Sequence, residues 1–266
     1  MLVVLCGLPA LAAANEDIAI LPREVSLHGP AATQTLLIVR VKDGEIVGRA
    51  GEGVTFTSEN AKVVTIENGI ATPHGNGSAT ITAKFGDKVA TTKVTVSGFD
   101  QPQAWTFRNH VLPVLAKANC NSGACHGALA GKGGFRLSLR GYDPLADYFT
   151  ITKQARGRRI ELADPGRSLI LAKPTGAIAH KGGTRFEVNL HEYRVLADWI
   201  ARGAEPPKDE DAKLARVEVL PDRSTLAPGT DMPLLVRAHY SDGRVEDVTR
   251  WAKFSSADEA VARVSE

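Results

Sequence analysis

Cys120, Cys125 and His126 stand together in the run Cys120-Asn121-Ser122-Gly123-Ala124-Cys125-His126. Two cysteines followed at once by a histidine suit covalent haem attachment. The thiols form thioethers with the porphyrin vinyl groups, and the histidine comes beneath the iron as proximal ligand. The usual spacing is C-x-x-C-H. Here four residues separate the cysteines, so the loop must bulge for both sulfurs to reach one macrocycle, and Asn121, Ser122, Gly123 and Ala124 are small enough to allow it. Two other chemistries share these residues. In an exported protein the cysteines can close a disulfide and leave His126 at the surface. A structural zinc site needs about four protein ligands, and no second Cys/His pair at ligand spacing follows.

Haem iron takes a second axial ligand, often methionine. The chain has only Met1 and Met232, both far from the motif in sequence. His180 is the expected substitute, in the glycine-rich run Ala177-Ile178-Ala179-His180-Lys181-Gly182-Gly183; His110 and His191 are the other candidates. Two imidazoles would lower the reduction potential relative to His/Met ligation and leave no open iron position, which suits electron transfer rather than catalysis. Lys132, Arg136, Arg140, Arg156, Arg158 and Arg159 supply cations for haem propionates or an acidic redox partner, with a solvated surface as the plainer alternative.

These residues need elements to hold them. Phe107, Val111, Val114, Leu115 and Ala118 recur at helical spacing just before Cys120, with Pro113 either opening or kinking the helix. A second helix is expected from Asn189 as N-cap with Glu192 three residues on. Tyr193, Leu196, Ala197 and Ile200 share its face, and Gly203 stops it. Two helices flanking a haem-motif loop are the plan of a cytochrome c domain; an ordinary two-helix core has the same periodicity.

The flanking sequence differs in kind. Residues 17 to 98 hold short β-rich runs punctuated by Asp43-Gly44, Asn68-Gly69 and Gly75-Asn76-Gly77. In Ala79 to Phe85 apolar and polar residues alternate, as in a strand with one buried face. Ser58-Glu59-Asn60, Val63 to Ile66, Gly69 to Thr72 and Gly77 to Thr82 resemble the bacterial immunoglobulin-like group 2 domain. The pattern returns near the end: Lys253 to Asp258 align with Thr55 to Asn60, and Asp242-Gly243 echoes Asp43-Gly44. This second module stops midway, which predicts that residues 214 to 266 do not fold alone and that further domains follow in a longer chain.

Cys120 to Ala128, Gly131 to Pro144, Arg158-Arg159-Ile160, Ser168-Leu169 and Gly176 to Gly183 together resemble the cytochrome-c-like region of large secreted planctomycete-type proteins. In those proteins immunoglobulin-like modules surround that region. The resemblance implies haem c held by Cys120, Cys125, His126 and His180, since related domains carry a distal methionine before paired glycines at the place of His180.

The expected architecture is multidomain: a signal peptide over 1–14, an all-β immunoglobulin-like sandwich over 15–98, a mainly α cytochrome-c-like domain over 103–207, and a truncated second sandwich over 214–266. The apolar Met1-to-Ala14 run, with Cys6 inside it, reads as a secretory signal lacking its basic start, or alternatively as a buried strand. Export places the protein in the periplasm, at the cell surface or outside the cell. Residues 103–207 carry 15 Lys or Arg against 8 Asp or Glu, whereas residues 15–98 carry 8 against 9, so positive charge is confined to the middle. The basic residues are not interleaved with an aromatic stacking platform, which argues against nucleic acid. No apolar run reaches membrane-spanning length. No hydrolytic triad, carboxylate pair or phosphate loop stands out. Electron transfer to a redox partner is the expected function, and a structural or adhesive surface protein with a disulfide-stapled middle is the alternative.

Overall fold

The computed structural model describes residues 16–265, so the 1–14 signal reading, including Cys6, lies outside the described residues. The chain divides into two compact units: residues up to 101 with 218–237 and 245–247, and residues 102–217 with 238–244 and the stretch from 248.

Residues 16–101 of the first unit form ten strands: β1 (Glu16–Leu21), β2 (Glu24–His28), β3 (Gln34–Thr35), β4 (Leu37–Lys42), β5 (Glu45–Arg49), β6 (Thr55–Ser58), β7 (Val64–Glu67), β8 (Ile70–Pro73), β9 (Gly77–Phe85) and β10 (Lys88–Ser97). They form sheets of order β1-β4-β5, β2-β10-β9-β6 and β3-β8-β7, all antiparallel except the parallel β2–β10 pair. Alternation sets the inward faces. Ala79, Ile81 and Ala83 of β9 are buried while Thr80, Thr82 and Lys84 are not, and Val94 and Val96 of β10 face the same core with Ile20 and Ile38. A smaller cluster joins Leu21, Leu37 and Val39 to Leu235, with Leu220 and Met232 packed alongside.

The second unit departs from the mainly α domain expected over 103–207. Regular structure is mostly β-sheet, 29% strand against 19% helix, and no sizeable all-α domain is present among the described residues. The helices here are α1 (Leu112–Lys117), α2 (Pro144–Thr152), α3 (Leu169–Ala172) and α4 (His191–Ala201), the longest of 11 residues. Long turns separate them. Helix propagation needs uninterrupted good formers, and Pro144, Pro165, Pro174 and repeated glycines break the run between α1 and α4. A wide turn, Phe107–Val111, leads into α1 with Pro113 in its first turn, so the proline opens the helix rather than kinking it. The helix α4 starts without the Asn189 cap; Leu190 is its N-cap and gives no side-chain bond. Gly203 does end it, at φ +96°.

Packing of these short helices makes one core. Phe107, Val114 and Leu115 meet Ile151, Leu171, Leu196 and Trp199, all nearly inaccessible. Each such fully buried side chain contributes about 1.5–3 kcal/mol relative to exposure. Trp199 also donates its indole N–H to the Glu205 carbonyl at 3.0 Å, so its one polar group is satisfied.

Strands β11 (Leu214–Leu220), β12 (Leu235–Tyr240) and β13 (Val245–Asp247) form a sheet ordered like β1-β4-β5. The echo of Asp43-Gly44 by Asp242-Gly243 extends to geometry, with Gly44 at φ +82° and Gly243 at +86°. Lys253 to Asp258, aligned with β6 in sequence, form no strand. The stretch after 214 is divided between the two units rather than forming one of its own.

Candidate functional site

The loop that carries Cys120, Cys125 and His126 follows the end of α1. Residues 120–127 fold as consecutive turns closed by main-chain bonds: Cys125 N–H to Ser122 O at 3.0 Å, His126 N–H to Cys120 O at 2.9 Å and Gly127 N–H to Ser122 O at 2.9 Å. The four intervening residues are absorbed in these turns. Gly127 must be glycine, because a Cβ there would strike the Asn121 carbonyl. Cys120 and Cys125 are unpaired thiols. Burial pushes the Cys120 thiol up to about 11, the nearby Arg185 guanidinium partly offsetting it. Arg185 Nη2 lies 3.8 Å from Cys125 Sγ.

His126 is oriented by the turn that follows. Its Nδ1 lies 2.9 Å from the Phe135 carbonyl, which also accepts from Lys132 N–H at 3.0 Å. A carbonyl only accepts, so Nδ1 carries the proton and Nε2 is left with its lone pair. Burial lowers the His126 pKa below its ordinary value, with the His180 ring adding to the effect, so the imidazole is held neutral. Phe135 packs against its ring, centroids 4.5 Å apart.

His180 reaches the same place from the loop after α3. That loop is fixed by Ile178 N–H to Ala172 O at 2.9 Å, Lys173 Nζ to Ala179 O at 3.1 Å and Arg185 N–H to Pro174 O at 2.7 Å. The Nδ1 of His180 lies 3.0 Å from the Gly183 carbonyl, repeating the His126 arrangement and again leaving Nε2 as the lone-pair nitrogen. A Cβ on Gly182 would come within 2.8 Å of His180 Cε1 and 3.2 Å of Nε2, so the missing side chain keeps that ring edge clear. The two imidazoles are nearly parallel, 10° between planes, with centroids 6.3 Å apart. That is too far for direct stacking.

Both histidines and both thiols line a cavity of about 380 Å³. The size falls in the ~300–1,000 Å³ range of cofactor pockets. Leu115, Phe135, Leu169, Ile170 and Pro174 make it apolar; Lys132, Arg158, Lys173 and Lys181 bring positive charge; among the described residues no carboxylate lines it. Among the described residues no group of three or more His, Cys, Asp or Glu side chains is placed to hold a metal ion unaided. A haem needs only two protein ligands, because the macrocycle's own nitrogens fill the other positions, and two histidines beside two thiols are residues able to hold one.

Other sequence-stressed residues go elsewhere. His110 and His191 do not line the cavity. They pack edge-on to Trp105, at 5.0 and 5.5 Å, and beside Trp251 at 5.8 and 5.6 Å. Arg159 lines the cavity but is committed: it is 5% exposed, gives three bonds of 2.8–3.2 Å to the Thr150, Gln154 and Gly134 carbonyls, and lies over the Phe135 ring. It builds the wall. Lys173, Lys181 and Arg185 carried no signal of their own in the sequence, since loop cations are common and only the fold shows which ones converge.

No helix of the described residues is long and apolar enough to cross a membrane. No family model matches the chain, and no curated protein matches it. Among solved structures, domains 5-6 of the S-layer protein SbsC match with 22% identity and a TM-score of 0.25, over 30% of this chain and 43% of that one. The M1 domain from titin matches with 10% identity and a TM-score of 0.18, over 32% of this chain and 94% of that one. At such scores neither likeness carries weight for fold or function.

Proposed function

We propose that the chain is an exported electron-transfer protein carrying one covalent c-type haem. Cys120 and Cys125 would hold the macrocycle by thioethers, and His126 and His180 would hold its iron. The observation that carries this reading is the pair of near-parallel imidazoles 6.3 Å apart, each with Nδ1 tied to a backbone carbonyl and Nε2 left for a metal. Ligand histidines are typically oriented by such a bond from the other ring nitrogen. The resemblance of the Cys120-to-Gly183 segment to planctomycete-type cytochrome-c-like regions points the same way.

When bound, the haem supplies a one-electron couple. The chain's residues do the rest. The two loops hold the imidazoles aligned, and Phe135, Leu169 and Ile170 make the cavity apolar. The surplus of Lys and Arg over 103–207 suits an acidic redox partner, in which case association slows as salt rises. The periplasm, cell surface or exterior is the proposed location, because the Met1-to-Ala14 run reads as a secretory signal.

Coexpression with a cytochrome c maturation system, followed by a denaturing gel stained for haem, tests the reading. A stained band is expected. A second reading, a structural or adhesive surface protein with a disulfide-stapled middle and no haem, draws on the predominance of β-sheet over helix. A colourless protein with a Cys120–Cys125 disulfide would favour it.

A further inference from the structure

The cavity is charged on one account only. Lys132, Arg158, Lys173 and Lys181 line it with no Asp or Glu among the lining residues. Lys132, Arg158 and Lys181 are exposed, and none of their side chains is engaged in an ion pair or hydrogen bond within the described residues. Lys173 spends one of its three donors on Ala179 O. Arg159, the fifth cation of the lining, is excluded because its guanidinium serves three carbonyls and the Phe135 ring. An apolar chamber with unpaired cations and no anion is matched by a flat apolar ligand that carries carboxylates at one edge. Like charges held together are unfavourable until an anion arrives among them.

We propose that Lys132, Arg158, Lys173 and Lys181 form the seat for the two haem carboxylates and so fix which edge of the macrocycle faces solvent. This rests on the haem reading above and adds to it a set of residues toward the propionates, two of which, Lys173 and Lys181, belong to the same loop that carries His180. Carboxylate binding there anchors that loop, so the seat and the distal ligand act together.

The test uses the full chain with Cys120→Ala and Cys125→Ala, so that haem binds reversibly through the imidazoles. It is titrated with ferric haem and, separately, with the haem dimethyl ester, which lacks the carboxylate charges. Ferric haem should bind more tightly than the ester by about tenfold at low salt, the advantage shrinking as salt is added, since each exposed pair is worth roughly two- to fivefold. In the variant with Lys132, Arg158, Lys173 and Lys181 all changed to Gln, the two ligands should bind alike. Should loss of the Lys173–Ala179 bond unfold that variant by circular dichroism, Lys132→Gln with Arg158→Gln, both exposed, should still lose several-fold of the difference. Equal binding of acid and ester by the parent, with imidazole ligation seen in both spectra, overturns the seat and leaves the haem reading standing. Binding of neither overturns both.

Discussion

At the residue scale the central pair is His126 and His180. Their equivalence is chemical: each gives Nδ1–H to a backbone carbonyl, at 2.9 and 3.0 Å, and each keeps Nε2 basic. In the proposed haem-loaded protein, His180→Ala should therefore open one face of the haem. The ferric protein is expected to turn high-spin or water-ligated, and the ferrous protein to bind carbon monoxide, with the thioethers intact. His110→Ala and His191→Ala should leave the absorption spectrum unchanged, because both side chains lie against Trp105 and Trp251 and away from the cavity. A silent His180→Ala together with a high-spin His110 or His191 variant would move the distal assignment to that residue. Arg159 is the second residue whose role is sharply defined. Arg159→Met leaves three carbonyls without their donor and removes the cation over Phe135, so chemical denaturation should show a loss of about 2–4 kcal/mol.

At the element scale, the short helices hold their histidines and tryptophans as packing groups. His191, at the start of α4, has its pKa lowered from 6.5 to about 4, by burial first and then by Arg250, Arg194 and His110. Protonation is thus easier in the unfolded chain. This contribution to stability is complete above about pH 6.5 and is lost as pH falls toward 4. His191→Phe should flatten thermal stability over that window, measured by melting at a series of pH values. In haem-free protein His126, also lowered, adds to the same slope. Much of the element layout was legible in the sequence: the period-two run of β9, the apolar face of Phe107 to Leu115 and the Gly203 stop all rest on local chemistry. The middle segment was not, because a mainly α plan read from two flanking helices overlooks what the prolines and glycines between them do to helix length. The Asn189 cap failed for a similar reason, since capping depends on where the chain enters the helix and not on residue type alone.

For the whole molecule, domain limits read from repeats and composition shifts differ from the packed units. The stretch after 214 contributes Leu235, 3% exposed, to a cluster with Leu21, Leu37 and Val39. Sequence alignment of the repeat placed Lys253 to Asp258 on β6, where no strand forms, and carried no sign of that long-range packing. Leu235→Ala should destabilise the first unit by about 2–5 kcal/mol, seen as an earlier melt of its β-sheet signal. The sequence motif named Cys120, Cys125, His126 and His180 as candidate donors and Lys132 and Arg158 among the candidate cations; the apolar walls and the convergence of Lys173 and Lys181 on the same cavity became visible only when distant loops met. The central claim is that these donors hold one covalent haem, and mass spectrometry of the tryptic peptide 118–132, from chain matured in an export host, tests it most directly. The expected result is that peptide bearing one haem, with neither Cys120 nor Cys125 open to alkylation; a haem-free peptide, with the two cysteines disulfide-bonded or both alkylated, would contradict it.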